Sequence, residues 1–451
     1  MRNRCKREID CLIYKTLLYQ LEIRMVFLDS ELSLKKLSVM IDTNQTYLSN
    51  VVNRYFECNL KGLLNRYRVE YAKELLQNGY STLENLPKFV KEYGKKVLIV
   101  YGGGSIKRTG LYDKVVALLK ENDIAYEELS GVEPNPRVTT VEKGVAICRK
   151  KGIDVVLPIG GGSTIDCAKG IAAAYYYDGP AWDIVLNNSL VTNALPIITI
   201  LTLAATGSEM DYFAVISNEE EKEKLDINSD LIYPKYSILD PTLTYSVPAY
   251  QTASGTADMM SHIFEVYFNG VKDTFFQDRI MEALLKTCIK YGPIAVKEPD
   301  NYDARANLMW TSSWAINGFI ACGKSGAWPC HAIEHQLSAY YDVTHGHGLA
   351  IITPYVMKYT LNDKTVDMYV TYGINVFGID PSLDRYEIAN QAIEKTTQVF
   401  RDMGLKLTLR DIGITDKTYF EEMAVKAARG CEGSFVELTK DDIVEIFNQA
   451  F

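Results

Sequence analysis

The sequence lacks the features of an exported, membrane-spanning or disulfide-bonded protein. No window approaches the roughly 18 consecutive apolar residues of a membrane-spanning helix. The early apolar patch, residues 11–21, is interrupted by Lys15 and has no small-residue cleavage site, which argues against a signal peptide. The nine cysteines include no C-x-x-C pair, which argues against a disulfide framework, a zinc ribbon or a redox motif. We therefore expect a cytoplasmic protein with reduced thiols.

Histidine is scarce, and its few copies are clustered. All five lie within a stretch of 86 residues. Asp258 stands four residues before the first of them on a predicted helix, so both side chains project from one face. A carboxylate with several imidazoles predicts a mononuclear Fe or Zn site. The five histidines are His262, His331, His335, His345 and His347. The spacing leaves open which of them bind the metal.

Charge is divided unevenly along the chain. Residues 1–96 carry 17 Lys and Arg against 11 Asp and Glu, a net of +6, which leaves 31 against 46, or −15, for the rest. Residues 1–80 show helical periodicity and no strand-like run. Ser33 is expected to cap a helix over 34–40, and a polar turn leads to a second helix over about 45–55. This pattern predicts a small helix-turn-helix segment.

The segment ELSLKKLSVMIDTNQTYLSNVVNRYFECNLKGLLNRYRVEYAKELLQ resembles the first half of the DNA-binding domain of AraC-type regulators. Those regulators carry two such units, and one is present here. The resemblance implies DNA as a partner of this segment, and a helical appendage with a basic, solvated face is the alternative. The candidate phosphate-contacting residues are Arg54, Lys61, Arg66 and Arg68.

Beyond the helical segment, strands alternate with helices. Two predicted buried strands, 96–101 and 154–159, each end in a Gly-Gly-Gly-Ser run. A helix near 111–122 follows the first strand, and a third apolar run spans 196–201. This alternation predicts a parallel, doubly wound sheet. After Pro241 the strands stop, and the remainder predicts a helical domain.

The two glycine runs predict a nucleotide site. Glycine lets the backbone approach a pyrophosphate closely, and the amides at a helix start favour negative charge. Ser163 can cap the helix after the second run, and Asp166 lies on its first turn. Neither run is G-x-G-x-x-G, so a variant dinucleotide fold is expected. Either run alone is also explained by a tight strand-to-helix turn.

Six segments, in this order, resemble the iron-containing (group III) alcohol dehydrogenase family, within it the butanol dehydrogenase and NADPH-dependent aldehyde reductase branch. They read KVLIVYGGGSIKRTGLYD, LPIGGGSTIDCAKGIA, TLAATGSEM, YSILDP, SGTADMMSHIFEVY and WPCHAIEHQLSAYYDVTHGHGLAIITP. The resemblance implies a dehydroquinate synthase-like fold, in which an α/β nucleotide-binding domain precedes a helical metal-binding domain. We therefore expect a helix-turn-helix-like segment at 1–80, the α/β domain at 81–244 and the helical domain at 245–451.

The resemblance also separates the histidines. It places the metal ligands at Asp258, His262, His331 and His345, with Fe(2+) as the metal and Zn(2+) as the alternative. His335 matches a histidine close to nicotinamide and substrate, and we expect it to relay a proton. The metal would polarise the alcohol or aldehyde oxygen at an open position. A single acidic ligand would keep the net charge of the site near +1.

The cofactor contacts implied by the resemblance lie in both glycine runs and in later segments. NAD-using members tend to carry an aspartate in the first turn, whereas residues 103–105 offer amides and a hydroxyl beside Lys107. We therefore expect NADP(H) in preference to NAD(H). The predicted cofactor-binding residues are Gly103, Gly104, Ser105, Gly161, Gly162, Ser163, Asp166, Thr202, Ala205, Ser208 and Lys224.

Together these features predict a metal-dependent alcohol dehydrogenase or aldehyde reductase acting on short- to medium-chain substrates such as butanol and butanal. The resemblance suggests a homodimer. One alternative is a DNA-binding transcriptional regulator with an enzyme-like sensor domain. Another is a zinc glycerol dehydrogenase or dehydroquinate synthase, whose metal sets and flanking segments match less well. The side chains considered for the shape of the substrate pocket are Phe213, Trp314, Phe319 and Trp328.

Overall fold

Contacts along the chain divide it into two units, residues 1–80 and 81–451. The computed structural model describes residues 10, 12–24, 26, 32–56, 58–64, 67, 82–324 and 326–451. Within those residues, every helix is too short or too polar to cross a membrane.

The first unit contains the predicted pair of helices, α1 (Leu34–Met40) and α2 (Gln45–Phe56). The predicted cap is confirmed, because Ser33 Oγ accepts a hydrogen bond from the backbone N–H of Lys36 at 3.2 Å. Arg54 pairs with the buried Asp10, and Lys61 is exposed. The other two basic candidates, Arg66 and Arg68, lie outside the described residues.

Seven strands lie within the described residues of the second unit. They are β1 (Lys96–Val100), β2 (Ala125–Leu129), β3 (Val155–Gly160), β4 (Ile198–Leu201), β5 (Phe213–Asn218), β6 (Glu223–Asn228) and β7 (Tyr236–Ile238). Five form a parallel sheet in the order β2-β1-β3-β4-β7, and β5 and β6 form an antiparallel hairpin. Residues 219–222, three of them glutamates, form the turn of this hairpin.

Helices cover both faces of the sheet, which explains why its central strands are continuously apolar. Val97 and Ile99 of β1 share a core with α3 and α5, while Leu98 and Val100 face α6 and α7. The helices of this half are α3 (Leu86–Lys91), α4 (Ser105–Arg108), α5 (Leu111–Glu121), α6 (Val138–Lys151), α7 (Gly162–Ala174) and α8 (Ala181–Leu186).

The C-terminal half is helical, as predicted, and its central helix is buried almost along its whole length. In α9 every residue of 252–267 is buried, as in a helix surrounded by others. The nine helices described in this half are α9 (Ala249–Tyr267), α10 (Phe275–Lys297), α11 (Tyr302–Trp314), α12 (Pro329–Tyr341), α13 (His345–Thr360), α14 (Val366–Phe377), α15 (Arg385–Asp402), α16 (Phe420–Gly430) and α17 (Lys440–Ala450).

Candidate metal and cofactor site

The four predicted ligands converge at one carboxylate oxygen. Asp258 and His262 lie on α9, His331 on α12, and His345 is the first residue of α13. Asp258 Oδ1 is 3.4 Å from Nε2 of His262, 3.6 Å from Nε2 of His345 and 4.0 Å from Nε2 of His331. Three imidazole nitrogens therefore surround one acidic oxygen.

This donor set fits a divalent cation. Asp258 Oδ1 and His331 Nε2 are buried and have no hydrogen-bond partner among the described residues. Burial, with the nearby Glu334 charge, raises the pKa of Asp258 to about 8. Burial lowers the pKa of His331 to about 3, so its imidazole is neutral. One oxygen and three nitrogens suit Fe(2+) or Zn(2+).

Two glutamates that were not predicted from the sequence contact the Nδ1 atoms of two imidazoles, on the side of each ring away from Asp258. Glu265 Oε1 is 3.0 Å from His331 Nδ1 and accepts a hydrogen bond from the His331 backbone N–H at 2.9 Å. Glu334 Oε2 contacts His345 Nδ1. In both pairs the other ring nitrogen faces Asp258. A carboxylate behind a histidine ligand fixes the ring and its tautomer.

Their positions carried a signal in the sequence. Glu265 stands three residues after His262, and Glu334 three residues after His331, so each shares a helix face with a ligand. The prediction of a net charge near +1 included only the ligand carboxylate. The net charge of the site also depends on three further ionisable groups, which are the two buried glutamates and the nearby Lys224 ammonium.

Lys224 lies next to the cluster of predicted metal ligands around Asp258. Its ammonium is 3.0 Å from Asn135 Oδ1, 3.1 Å from Ser338 Oγ and 3.7 Å from Glu334 Oε2. The side chain is only 4% exposed. It extends from β6 towards α12 and so connects the hairpin to the helix that carries His331.

His335 and His347 have different surroundings. The His335 ring centre is 5.4 Å from that of His345, and burial together with Lys224 lowers the His335 pKa well below its usual value. His347 contacts the Tyr250 hydroxyl through Nδ1 at 3.0 Å and the Lys406 carbonyl through Nε2 at 2.7 Å. Both nitrogens of His347 are therefore used in contacts away from the cluster.

A cleft of about 730 Å³ opens onto the cluster, a size suited to small-molecule binding. The predicted pocket residues Phe213 and Trp328 line it. Trp314 instead packs against Trp310 and Phe319, with ring centres 5.7 and 5.3 Å away. The predicted site residues that line the cleft are Ser163, Asp166, Ser208, Lys224, His262, His331, His335 and His345.

The two glycine runs differ in what surrounds them. A Cβ on Gly162 would lie 2.3 Å from Thr206 Oγ1, and one on Gly161 would lie 3.0 Å from the Leu203 Cβ. Glycine is therefore required there by the chain that follows β4. Around Gly103, by contrast, a Cβ would meet no described atom within 4 Å. The first run thus leaves open space in which a cofactor can approach the backbone.

Other predicted cofactor residues have contacts within the protein. Gly104 adopts φ +88°, which favours glycine, and Ser105 begins α4. The Thr202 backbone N–H donates to the Gly160 carbonyl at 2.9 Å. A Cβ on Gly255 would lie 2.9 Å from the Ala205 Cβ, so the chain after β4 packs closely on α9.

Asp166 and Lys169 connect α7 to the chain around the start of β5 through hydrogen bonds and an ion pair. Asp166 accepts hydrogen bonds from Ser208 Oγ at 2.6 Å and from the Val215 backbone N–H at 3.1 Å. Lys169 is fully buried and pairs with Asp211 at 2.6 Å. Both Asp166 oxygens therefore accept hydrogen bonds from the protein at the edge of the cleft.

Residues 318–325 read G-F-I-A-C-G-K-S and fit the letters of a P-loop. The described part of this segment, residues 318–324, does not form one, because it follows helix α11 rather than a strand. The Lys324 ammonium is buried and contacts Asp278, the Thr274 hydroxyl and the Val271 carbonyl at 3.1–3.2 Å. Lys324 is therefore a structural anchor.

Comparison with known proteins agrees with this fold. Residues 76–241 match the family described as iron-containing alcohol dehydrogenase, and residues 252–451 match the Fe-containing alcohol dehydrogenase family, C-terminal. The chain belongs to the iron-containing alcohol dehydrogenase family. The predicted fold is confirmed as dehydroquinate synthase-like, and the protein is an oxidoreductase of alcohols and aldehydes that uses iron and a nicotinamide cofactor.

Its relatives include enzymes named for either nicotinamide cofactor. NADH-dependent butanol dehydrogenase A of Clostridium acetobutylicum is 56% identical over 83% of this chain and 96% of its own length. NADPH-dependent aldehyde reductase YqhD of Escherichia coli is 37% identical over 71% of this chain and 82% of its own length. The crystal structure of NADH-dependent butanol dehydrogenase A from Thermotoga maritima is 37% identical, with a TM-score of 0.78, and covers 82% of this chain and 95% of that one. These relatives give no support to the DNA-binding alternative.

Proposed function

We propose that this protein interconverts short- to medium-chain aldehydes and alcohols, such as butanal and butanol, at a metal held by Asp258, His262, His331 and His345. The observation that carries the proposal is the buried, unpartnered Asp258 Oδ1 within 4.0 Å of three imidazole nitrogens. A bound Fe(2+) would supply Lewis-acid polarisation of the substrate oxygen, and the nicotinamide would supply or accept hydride.

The residues around the cluster position these groups. Glu265 and Glu334 orient the His331 and His345 rings so that Nε2 of each faces Asp258. His335 borders the cleft and is neutral at neutral pH, because burial and Lys224 lower its pKa. A neutral imidazole has one donor and one acceptor nitrogen. His335 can therefore pass a proton between the substrate oxygen and solvent.

For the cofactor, we propose that the chain uses NADPH as well as NADH. The first glycine turn carries no carboxylate, and the Lys107 side chain is about half exposed beside it. Glu128 lies 3.6 Å from the Lys107 ammonium and offsets part of its charge. Lys107→Ala should lower the ratio of kcat/KM for NADPH to that for NADH, and an unchanged ratio would exclude Lys107 from the choice.

The test of the reaction is oxidation of NADPH with butanal, run anaerobically on protein loaded with Fe(2+). Parallel assays use Zn(2+), NADH and the His331→Ala variant. We expect turnover that requires both the metal and His331. A folded protein that binds metal but turns over neither cofactor would contradict the proposal. The homodimer suggested by the sequence remains a prediction, which sedimentation velocity can check.

A further inference from the structure

We propose that Trp328 is a specificity-determining residue, whose indole forms the wall against which the hydrocarbon part of the substrate packs. This inference rests on the proposed function, because it concerns the substrate of that reaction. Trp328 is half-buried and lines the cleft. It is the residue directly before α12, three positions from His331.

The indole lies beside two of the proposed metal ligands. Its ring centre is 5.0 Å from that of His331 and 5.7 Å from that of His262. These two imidazoles stack on each other with centres 4.9 Å apart. A substrate oxygen at the metal would therefore have the Trp328 ring next to its carbon chain.

The cleft has further apolar lining. Val266, Ile316 and Ala321 line the same cleft as Trp328. Polar and charged groups, including Lys224 and Gln336, also line it. Moving an alkyl chain from water to an apolar surface lowers the free energy. Moving an unpaired polar group there raises it. The Trp328 side of the cleft is thus suited to the hydrocarbon end of an aldehyde.

The backbone that carries Trp328 is held on both sides. Four residues earlier, Lys324 is anchored by Asp278 and Thr274, and its side chain is only 2% exposed. Directly after Trp328, Pro329 occupies the first position of α12, and the Trp328 carbonyl accepts from the Ala332 backbone N–H at 2.9 Å. A bulky substrate in the cleft would therefore meet the Trp328 ring, and we expect it to react more slowly than a linear one.

The test compares kcat/KM for cyclohexanecarbaldehyde with that for butanal in the metal-loaded wild type, Trp328→Phe and Trp328→Ala. We expect the ratio of the bulky to the linear aldehyde to rise by about tenfold or more in Trp328→Ala, with Trp328→Phe in between. Trp310→Phe is the control, because Trp310 is half exposed on α11 and packs on Trp314. Its ratio should equal that of the wild type.

A second measurement reads the position of the indole without turnover. Co(2+) binding should quench tryptophan fluorescence in the wild type and in Trp310→Phe, and the quenching should be largely lost in Trp328→Phe. Equal quenching in all three proteins would overturn the inference. So would an unchanged aldehyde ratio in both Trp328 variants with turnover intact. Absence of turnover in the wild type would instead overturn the proposed function and, with it, this inference.

Discussion

Glu265 on α9 holds His331 on α12 through one carboxylate oxygen. Oε1 lies 3.0 Å from the ring nitrogen Nδ1 and accepts from the backbone N–H of the same residue at 2.9 Å. The start of α12 and the orientation of its histidine are thus set by a single side chain of the neighbouring helix. Because Glu265 is buried, these contacts lie away from bulk solvent.

The first prediction concerns this contact. Glu265→Ala should weaken metal binding by about 10- to 100-fold, because the His331 ring loses its orienting partner. Glu265→Gln keeps one acceptor oxygen and should have a smaller effect. Metal affinity can be measured by competition with a chelating dye. Glu282→Gln is the control, because Glu282 is buried on α10 and accepts from Tyr267 away from the cluster. An equal loss in both glutamine variants would contradict the prediction.

The second prediction distinguishes two histidines of the cluster region. His331→Ala should abolish stoichiometric metal binding, because its Nε2 belongs to the group around Asp258. His347→Ala should retain the metal and lower the free energy of unfolding by about 1–3 kcal/mol, because the contact of the buried imidazole with the Lys406 carbonyl is lost. Metal content of the purified variants checks the first part, and denaturant unfolding the second. Loss of the metal from His347→Ala would refute this assignment.

The third prediction concerns the ion pair between α7 and the start of β5. Lys169 and Asp211 are 2.6 Å apart with side chains 0% and 3% exposed. Lys169→Met leaves the Asp211 carboxylate buried without its partner, and we expect a loss of about 3–5 kcal/mol in the free energy of unfolding. Adding Asp211→Asn should recover part of that loss.

The matched control is Lys151→Met, which removes an ion pair with Glu127 whose side chains are 43% and 31% exposed. A surface pair of this kind contributes about 0–1 kcal/mol. Unfolding in urea measures all of these variants. A Lys169→Met protein as stable as the control would show that the buried pair contributes nothing.

The fourth prediction is a pH dependence of stability. Glu209 is buried, one of its oxygens accepts from Ser313 Oγ, and the other has no partner among the described residues. Burial raises its pKa from about 4.5 to about 7. Between these values the folded protein holds a proton that the unfolded chain releases, so stability falls as pH rises through this interval. The loss is about 3 kcal/mol and is complete above pH 7.

Glu209→Gln cannot ionise, so its stability relative to the wild type should be higher at pH 8 than at pH 5. Urea unfolding at the two pH values measures the difference in free energy of unfolding between the variant and the wild type. The contributions of titratable groups that both proteins share cancel in this difference. Glu219→Gln, on the exposed hairpin turn, should show no such change. The prediction fails if the Glu209→Gln difference is the same at both pH values.

Local patterns predicted most of the fold, and the misses have physical reasons. The apolar strands β1, β3 and β4 were found because both of their faces are buried. The sequence analysis did not identify β2, because A-Y-E-E-L is short, half exposed and at the edge of the sheet. The helix predicted to carry Asp258 is α9, which begins at Ala249, nine residues before the carboxylate.

By itself, the sequence determined the alternation of strands and helices, the glycine turns, the family and a short set of candidate ligands. These properties depend on neighbours a few residues apart, or on segments read in order. Only the tertiary structure decided that Asp258 faces three imidazoles, that Glu265 lies behind His331, and that the Trp328 ring lies beside those of His262 and His331. Glu265 and His331 are 66 positions apart in the chain, and the packing of α9 against α12 and α13 brings these groups together. No local pattern encodes such contacts, because they depend on how separate helices pack.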